Sequence, residues 1–528
     1  MYDYIIVGGG TAGCVLAARL TEMPQARVLL LEAGPRDTNP YIHMPVGFFK
    51  MTGGPLTWGY QTVPLSHANG RVTVYPQARV LGGGSSINAE IFTRGCPEDY
   101  DAWAHDMDCQ GWSFADLKPY FIKSEDNQRL GGDMHGVGGP LGVSDVPTPA
   151  RISLAFIQGC MDAGLPFNPD FNSGKQEGAG PYQTTTRNGR RASAAVCYLK
   201  PVLGRKNLTV KTGILVTRLV IEKGRAIGAE YREGGQSRRD EAGSEVIVTA
   251  GAIGSPKLLL LSGIGPEAHL RSRGVSVTHD LPGVGENLHD HFSTDVVWQL
   301  NGPYSYDKYK KLHWKAVAGL RYLMFRDGPV ASNIVEAGGF WWSDRAEKTP
   351  DLQFHFLAGA GIEEGVGTVP GGNGATCNVY QTRPRSRGTV RLRSGDAADA
   401  PLVDPNSFAD PYDLDRHIDG IKLVQEIGRS RSFARFVTRE HFPGEAVKSL
   451  ADYQAAARAN ARSSYHPVGT CKMGTDAMAV VDPQLRVRGI AGLRVCDSSI
   501  MPRLVSSNTN APTIAIAEKA ADLIRGNR

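Results

Sequence analysis

The chain has 528 residues, of which 41% are hydrophobic, so it can bury a large core and is long enough for roughly three domains. Its net charge of +5 comes from Lys and Arg interspersed with Asp and Glu, which excludes the basic block of a nucleic-acid-binding arm. Its 63 glycines and 32 prolines follow no fixed period, which excludes collagen and tandem repeats. The composition indicates a globular protein with many loops.

The first predicted strand begins at Tyr4, which leaves no room for a signal peptide, and no apolar run reaches the length of about 18 residues that a membrane span needs. The eight cysteines are scattered without a CxxC pair, which favours free thiols. We therefore expect a cytoplasmic protein, with peripheral contact at the inner face of the membrane and self-association left open. His289 and His291 flank Asp290 without a third ligand, so we interpret them as a hydrogen-bond network and expect no metal.

The N-terminus carries a dinucleotide-binding pattern. An apolar strand leads into a glycine-rich turn over residues 8–13, a helical pattern follows, and a second strand ends at an acid. In such a turn the first glycine permits the bend, the second lets a pyrophosphate approach the backbone, and the third lets the helix pack on the strand. The acid accepts a ribose hydroxyl, but the pattern does not separate NAD from FAD. The predicted contacts are Gly8, Gly10, Thr11, Ala12, Gly13 and Glu32.

Two further segments accompany this site. The aromatic-rich stretch from Tyr41 to Tyr75 is predicted to be a lid over the cofactor or an ordinary surface excursion. Residues 79–89 form a second glycine-rich cluster, whose hydroxyl and amide groups can bind a flat or phosphorylated ligand. A strand over 245–251 then leads into a helix that we expect to begin at Ser255 and to end at Gly263.

The C-terminal part contains a histidine held between an aromatic residue and a proline, His466, and a polar segment over residues 506–513. Taken alone, this histidine would be a structural residue. Together with the glycine motifs and residues 251–265, however, these segments stand in the order found in the glucose-methanol-choline flavin oxidoreductases. The chain resembles that family over nearly its full length, and especially its bacterial alcohol and choline dehydrogenases.

The resemblance implies the fold class and the cofactor. We expect an α/β protein with a discontinuous, doubly wound, Rossmann-like FAD-binding domain over residues 1–155, 200–295 and 455–528. A substrate domain over 156–199 and 296–454 would carry a mostly antiparallel sheet flanked by helices. Some family members attach FAD through a histidine in the second glycine cluster, and Ile87 stands at that position, so we predict non-covalent FAD.

The resemblance also implies oxidation of a primary alcohol to the aldehyde. His466 matches the base that takes the hydroxyl proton while a hydride passes to the flavin, and a neutral imidazole suits that task. We place the second catalytic residue at Asn510 rather than Asn508, although Asn510 would also serve as a cap of the last helix. The further cofactor contacts carried over from the family are Arg79, Gly83, Ser86, Asn88, Ala89, Val216, Asp497 and Asn510.

The electron acceptor and the reaction class leave alternatives. Ser464 stands where some oxidases carry an apolar residue, which favours a dehydrogenase passing electrons to a quinone over an oxidase that uses oxygen. A hydroxynitrile lyase is a less favoured reading, and a non-catalytic flavoprotein or a nicotinamide dehydrogenase is disfavoured.

The substrate is the least determined feature. Phe340, Trp341 and Trp342, with the Phe48–Phe49 pair, suggest an apolar or aryl alcohol, unless these rings only pack the core of the second domain. Choline would need a carboxylate near the flavin, and Glu336 is the candidate for that role.

Overall fold

The computed structural model of the chain describes residues 1–362 and 367–526. The helices are α1 Thr11–Leu20, α2 Pro40–His43, α3 Pro97–Asp106, α4 Phe114–Ser124, α5 Arg151–Asp162, α6 Gly251–Leu261, α7 Glu267–Ser272, α8 Leu312–Phe325, α9 Pro411–Gly428, α10 Arg431–Ala434, α11 Leu450–Asn460 and α12 Asn510–Gly526. The strands are β1 Tyr2–Val7, β2 Val28–Glu32, β3 Glu125–Asn127, β4 Leu141–Val143, β5 Gly178–Pro181, β6 Thr186–Arg187, β7 Arg190–Arg191, β8 Leu208–Thr212, β9 Leu215–Glu222, β10 Arg225–Glu233, β11 Gln236–Val248, β12 Ile264–Gly265, β13 His279–Asp280, β14 Phe292–Leu300, β15 Ala337–Trp341, β16 Leu352–Leu357, β17 Gly374–Gln381, β18 Thr389–Arg391, β19 Leu402–Asp404, β20 Val437–Phe442, β21 Arg462–Ser463 and β22 Leu493–Val495.

The first large sheet is built around β1 and β2, whose apolar runs are buried on both faces, as parallel strands require. β8, β2, β1 and β11 lie side by side in parallel register, and β22 pairs in parallel with the other edge of β11. The sheet therefore gathers strands from the start, the middle and the end of the chain. This arrangement explains how distant sequence motifs reach one nucleotide site.

The long strand β11 serves two pairings. Its last residues lie between β1 and β22, while its first half pairs antiparallel with β10, which in turn pairs with β9. The alternating exposed and buried residues of β10 fit this half-solvated hairpin region. β9 and β10 therefore extend the first sheet through antiparallel pairing.

The second large sheet is antiparallel throughout its described pairings and has the order β20-β14-β17-β16-β15-β5, with β21 beside β14. α5 and α9 pack on one of its faces, around Phe156, Phe354 and Phe356. The predicted fold class, a doubly wound sheet plus a mostly antiparallel second sheet with flanking helices, is confirmed.

The predicted start of the helix that follows β11 needs correction. The helix expected to start at Ser255 starts at Gly251, because Ser255 Oγ turns back to accept from Ala250 N and to donate to Asp497. Gly263, with φ +77°, does follow the end of that helix. β18 pairs only with β19 among the described strands and does not join a large sheet.

The predicted boundary between residues 155 and 156 falls inside α5 and separates residues that share one buried face. A boundary before Arg151 keeps this helix with the sheet on which it packs. The division into two domains otherwise stays a prediction. Among the described residues, no helix is both long and apolar enough to cross a bilayer.

Candidate active site

A cavity of about 330 Å³ lies between the two large sheets. The carboxyl ends of β1 and β2 reach it through Val7 and Leu31, and the second sheet reaches it through Leu357 and Asn378. Ligands of open α/β sheets bind at the carboxyl ends of parallel strands. The cavity is therefore where the fold class places a ligand.

Three glycines of the turn at one end of the cavity have different roles: Gly8 and Gly13 avoid clashes with the protein, and Gly10 leaves space open. Gly8 has φ +112°, and a Cβ there would lie 2.5 Å from the carbonyl oxygen of Thr249. A Cβ on Gly13 would lie 1.9 Å from the carbonyl oxygen of Gly8, so this glycine lets α1 pack on β1. A Cβ on Gly10 would meet nothing closer than 3.8 Å, which leaves its backbone open to the cavity.

Glu32 lies at the end of β2 and lines the same part of the cavity. Its two carboxylate oxygens accept from Gly9 N and from Gly34 N, each at 2.7 Å. Burial raises the pKa of Glu32 to about 7, although these two donors act in the opposite direction. The side chain is thus fixed beside the glycine turn, in the place where a ribose hydroxyl would meet it.

Several features fit this end of the cavity to a dinucleotide. α1 begins at the turn without a side-chain cap, so its first N–H groups are available to phosphate. A Cβ on Gly84 or Gly251 would meet no protein atom within 4 Å, although both glycines line the cavity. Asn510 Nδ2 is buried without a hydrogen-bond partner among the described residues. The glycines leave room that the protein does not fill, and the amide offers an unused donor.

The predicted cofactor contacts divide into two groups. Arg79, Ser86 and Gly13 do not line the cavity: the Arg79 guanidinium lies 5.0 Å from the ring centre of Trp58, and Ser86 Oγ donates to the carbonyl of Leu81. The predicted residues that line the cavity are Gly8, Gly10, Thr11, Ala12, Glu32, Gly83, Asn88, Ala89, Val216, Asp497 and Asn510, with His466 at the other end.

His466 is held by the loop that precedes β14. Its backbone N–H donates to Asp290 Oδ1 at 2.8 Å, and the other oxygen of Asp290 accepts from Tyr75 at 2.6 Å and from Ser463. The residue before the histidine, Tyr465, has φ +68°, a conformation that side chains rarely adopt. The segment is therefore constrained on both sides of the ring.

The neighbouring rings fix the tautomer of His466. His291 Nε2 lies 2.9 Å from the carbonyl oxygen of Thr382, which can only accept, so Nε2 of His291 carries the proton. Nδ1 of a neutral His291 is then an acceptor, and His466 Nδ1, 3.0 Å away, must donate to it. His466 Nε2 is left with a lone pair that faces the cavity.

Asn508 meets this lone pair. Its Nδ2 lies 3.1 Å from His466 Nε2, and its Oδ1 accepts from Thr93 Oγ1 at 3.0 Å and from Gln353 Nε2 at 3.1 Å. The Gln353 amide is itself oriented by Tyr380, whose hydroxyl donates to Gln353 Oε1 at 2.7 Å. With its oxygen held by two donors, the amide of Asn508 must point its N–H groups at the histidine.

The structure does not place Asn510, which was expected to be the second catalytic residue, beside His466. Asn510 begins α12, and its Oδ1 accepts from Thr11 Oγ1 at 3.2 Å, beside the glycine turn. The two asparagines are two residues apart in sequence but lie at opposite ends of the cavity, because Asn510 is the first residue of α12 and Asn508 belongs to the preceding loop. Asn508 is the residue that faces His466.

The histidines of the site are neutral. Burial lowers the pKa of His466 to about 3 and also lowers the pKa of His355 to about 3. Burial holds the pKa of His291 well below its ordinary value, and the nearby His466 acts in the same direction. An uncharged His466 Nε2 can accept a proton at neutral pH.

The residues proposed to select the substrate need correction. Phe340, Trp341 and Trp342 do not line the cavity, and Phe340 is buried in a neighbouring cluster with Phe171 and Tyr182. The segment over 41–75 does reach the cavity, through Phe48, Thr52, Trp58 and Tyr60.

Glu336 is likewise absent from the cavity wall. Its carboxylate accepts from Ala150 N, Ser153, Tyr306 and Ser332, which satisfy it within the protein. Glu90, which directly follows the second glycine cluster, lines the cavity in addition to Glu32 and Asp497. Its position next to Asn88 and Ala89 is the sequence signal that could have identified it.

The histidines around Asp290 have structural and positioning roles. In the described part of the chain, no group of three His, Cys, Asp or Glu side chains could hold a metal ion. His289 Nε2 accepts from Leu504 N at 2.9 Å, and its Nδ1 lies 2.6 Å from the carbonyl of Asn287. His291 supports the ring of His466 as described above. The hydrogen-bond network expected from this motif is present, and it holds the histidine at the reacting end.

A doubly wound nucleotide fold with a cavity running from a glycine turn to a buried histidine pair defines a dinucleotide-dependent α/β enzyme. The chain belongs to the GMC oxidoreductases: residues 2–293 match the N-terminal model of that family and residues 384–517 match its C-terminal model.

Relatives extend over the whole chain. It is 43% identical to the alcohol dehydrogenase [acceptor] of Pseudomonas putida, over 99% of this chain and 96% of that protein. It is 42% identical to human mitochondrial choline dehydrogenase, over 99% of this chain and 90% of that protein. The crystal structure of pyridoxine 4-oxidase from Mesorbium loti superposes with a TM-score of 0.90 at 32% identity, covering 99% of both chains. The protein is an FAD-dependent oxidoreductase that acts on CH–OH donors.

Proposed function

We propose that this enzyme oxidises an apolar primary alcohol to the aldehyde, with His466 as the base and Asn508 as the hydrogen-bond donor to the substrate oxygen. The observation that carries the proposal is the hydrogen-bond chain from Thr382 through His291 to His466, which leaves the lone pair of His466 Nε2 facing Asn508 in the cavity. FAD, when bound, supplies the acceptor for the hydride that leaves the carbinol carbon.

The chain's own residues would act on the hydroxyl group. A substrate oxygen that reaches both side chains would replace the hydrogen bond between them, donating its proton to His466 Nε2 and accepting from Asn508 Nδ2. The proton moves to Nε2 as negative charge develops on the oxygen, and the fixed amide dipole of Asn508 stabilises that charge without titrating. The protein excludes water there, because His466 is 8% exposed and the residues behind it are buried.

The cofactor would be held by the other end of the cavity. The open backbone at Gly10 and the free N–H groups at the start of α1 suit the pyrophosphate, and Glu32 suits the ribose. Asn510 contributes an unpartnered amide N–H. Attachment would be non-covalent, since Ile87 offers no nucleophilic atom at the position where some family members carry histidine.

The wall between these two ends supports an apolar substrate. Phe48, Ile87, Ile91, Val335 and Leu357 line it with hydrocarbon. A panel of straight-chain, branched and aryl primary alcohols, assayed with an artificial acceptor dye, tests this preference. Sugars or other polyols that react faster than a butanol or benzyl alcohol would contradict it.

Choline is the second candidate, and Glu90 is the observation that favours it. Glu90 is among the residues that line the cavity, and its buried carboxylate oxygens accept no hydrogen bond from the described residues. Arg191 lies 3.4 Å away, however, and burial raises the pKa of Glu90 to about 7, so the carboxylate is a poor partner for a quaternary ammonium. Comparing choline with its uncharged analogue 3,3-dimethylbutanol decides between them: faster flavin reduction by choline would favour the second candidate.

For the electron acceptor we propose a quinone or another organic acceptor. Ser464 lines the cavity beside His466, and its Oγ is buried without a hydrogen-bond partner among the described residues, which makes this wall polar. The flavin is first reduced anaerobically by alcohol, and then either air or a soluble quinone is added. Reoxidation by quinone but not by air within one turnover supports the proposal, whereas rapid peroxide formation identifies an oxidase. A flavin that alcohol never bleaches would point to a lyase.

A further inference from the structure

The surface helix α8 is oriented against the usual rule. A surface helix normally turns its apolar stripe toward the core. In α8 the buried residues are Ala318 and Tyr322, and the opposite face carries apolar side chains at spacings of four, four and three residues. The members of this outer face are Leu312, Ala316, Leu320 and Leu323, with Val317 and Met324 at its edge.

The outer face of α8 is strongly exposed. Leu312 is 83% exposed, Leu323 is 70% exposed and Leu320 is 57% exposed. Single exposed leucines are ordinary, but a contiguous apolar stripe along one helix marks a contact surface for another apolar phase. Nothing in the proposed chemistry uses this face.

Cations surround the stripe. Between Asp307 and Asp327 the sequence has six Lys or Arg residues and two carboxylates, a net charge of +4. Asp307 pairs with Lys310 and Asp327 pairs with Arg321. The remaining cations have no carboxylate within ion-pair distance among residues 1–362 and 367–526; they are Lys308, Lys311, Lys315 and Arg326.

The positive charge around the stripe indicates what binds to this surface. A two-fold contact between copies of the chain would place the same patch against itself, so that +4 would face +4. An anionic lipid surface would instead attract the cations while the leucines enter the boundary between headgroups and acyl chains. Tyr309, which precedes α8, packs edge to face on Trp314 in the first turn of the helix, and both are residue types enriched at that boundary.

We infer that α8 docks this enzyme on an anionic bilayer, with its outer face in the lipid boundary and its cations among the headgroups. The helix leads through the 3-10 turn Pro329–Ala331 to Val335, which lines the cavity. That turn contacts the 3-10 helix Pro45–Lys50, whose Phe48 also lines the cavity. Docking through α8 places this wall of the cavity next to the membrane, where apolar alcohols and quinones are concentrated.

Vesicle binding of the FAD-loaded enzyme tests the inference independently of its redox chemistry. Sedimentation is measured with vesicles of phosphatidylcholine alone and with vesicles that also contain phosphatidylglycerol. We expect binding to the anionic vesicles at least about tenfold tighter than to the neutral ones, and weaker at high salt. Wild-type enzyme that binds neither kind of vesicle would overturn the inference.

Two pairs of variants separate the apolar and the charged contributions. Leu320→Glu with Leu323→Glu should reduce binding to anionic vesicles by about tenfold or more, and Lys311→Glu with Lys315→Glu should remove the preference for anionic lipid. The matched control is Val137→Glu with Leu450→Glu, which changes two exposed apolar residues elsewhere. Oxidation of a water-soluble alcohol with a dye should be unchanged in all of them, which shows that they fold.

Light scattering after gel filtration tests the rival hypothesis, in which the outer face of α8 is a contact between two copies of the chain. If the α8 leucine variants only convert an oligomer into a monomer, and the wild type ignores vesicles, the surface is a contact between copies of the chain. If the control variants lose vesicle binding as fully as the α8 variants do, the helix is not the docking element. Either result refutes the bilayer assignment.

Discussion

The two ends of the cavity are built in different ways. At the nucleotide end, the groups open to a ligand are mainly backbone atoms of the glycine-rich turn, with the side chains of Glu32 from the next strand and Asn510 from the start of α12 beside them. At the reacting end, the groups are side chains from separate segments, among them Asp290, His291, Asn508 and His466. The first end is a local motif, whereas the second exists only after the whole chain has folded.

Removing the proposed base, His466, should have the largest effect, because it should impair flavin reduction and leave FAD binding unchanged. His466→Ala should lower the rate of flavin reduction by alcohol about 10³-fold, because a positioned general base contributes about 10² to 10⁴-fold. FAD should remain bound, since the nucleotide end is untouched. Anaerobic stopped-flow absorbance of the bound flavin measures the rate, and His105→Ala on the exposed face of α3 is the control. Wild-type reduction rates in His466→Ala would refute the proposed mechanism.

The two asparagines give a matched test of the same comparison. Asn508→Ala should lower flavin reduction about 10²-fold, as loss of a preorganised donor to a developing oxyanion does, and should leave FAD affinity unchanged. Asn510→Ala should have the opposite profile, with weaker FAD binding and a smaller effect on the reduction of enzyme saturated with FAD. If the two profiles are exchanged, the original assignment to Asn510 is correct.

The residue behind the base should have a smaller effect. His291→Ala removes the acceptor that holds the proton on His466 Nδ1, so flavin reduction should fall about 10- to 100-fold, as for other partners that orient a functional imidazole. His291→Gln, which can still accept from His466, should recover part of the rate. A purely packing role for His291 would instead show as lower thermal stability with no difference between the two variants in reduction rate.

At the nucleotide end, Glu32→Gln should weaken FAD binding about tenfold, in line with about 1–3 kcal/mol for a buried group whose partner is removed. Titration of the apoprotein with FAD, followed by flavin fluorescence, measures the change. The reduction rate of the fully loaded variant should match the wild type. A large loss of rate at saturating FAD would show that the two ends are coupled.

The smallest expected effect is that of acid on the base. Burial disfavours the imidazolium, so the pKa of His466 lies at about 3 and the ring stays neutral until the pH falls far below the ordinary value. Between pH 8 and pH 5.5 the reduction rate should change by less than about twofold, whereas a histidine with the usual pKa would cost about tenfold.

The neighbouring carboxyl group provides the control for this pH profile. Burial raises the pKa of Asp290 to about 6, within the same interval. A decline in wild type that disappears in Asp290→Asn belongs to that carboxyl group. A tenfold decline that persists in Asp290→Asn contradicts a pKa of about 3 for His466.

The same contrast explains which predictions succeeded. The turn at residues 8–13 and the buried strand that ends at Glu32 were predictable, because each follows from local backbone requirements or residue patterning, and the antiparallel second sheet was expected from the family resemblance. The start of α6 was misplaced because Ser255 has the residue type of a helix cap, but its hydroxyl binds Asp497, which is 242 residues away. Helix-cap propensity depends on neighbouring residues, so it could not account for a hydrogen-bond partner so far away in the sequence.

Side-chain environment was the weaker part of the sequence prediction. Phe340, Trp341 and Trp342 looked like a substrate wall, but none of them lines the cavity and Phe340 packs in a buried cluster, while Glu336 is fully occupied by hydroxyl and backbone donors. Glu90 gave no pattern of its own and lines the cavity only because the second glycine cluster curves past it.

By itself the sequence determined the nucleotide turn, the order of the family motifs and the presence of a histidine suited to alcohol chemistry, since these depend on neighbouring residues. Only the tertiary structure decided that Asn508 rather than Asn510 faces the histidine, that His291 sets its tautomer, and that the leucines of α8 face outward. The first two facts depend on which groups from distant segments meet within about 3 Å, the range of a hydrogen bond. The third depends on which surfaces stay exposed after the chain has folded.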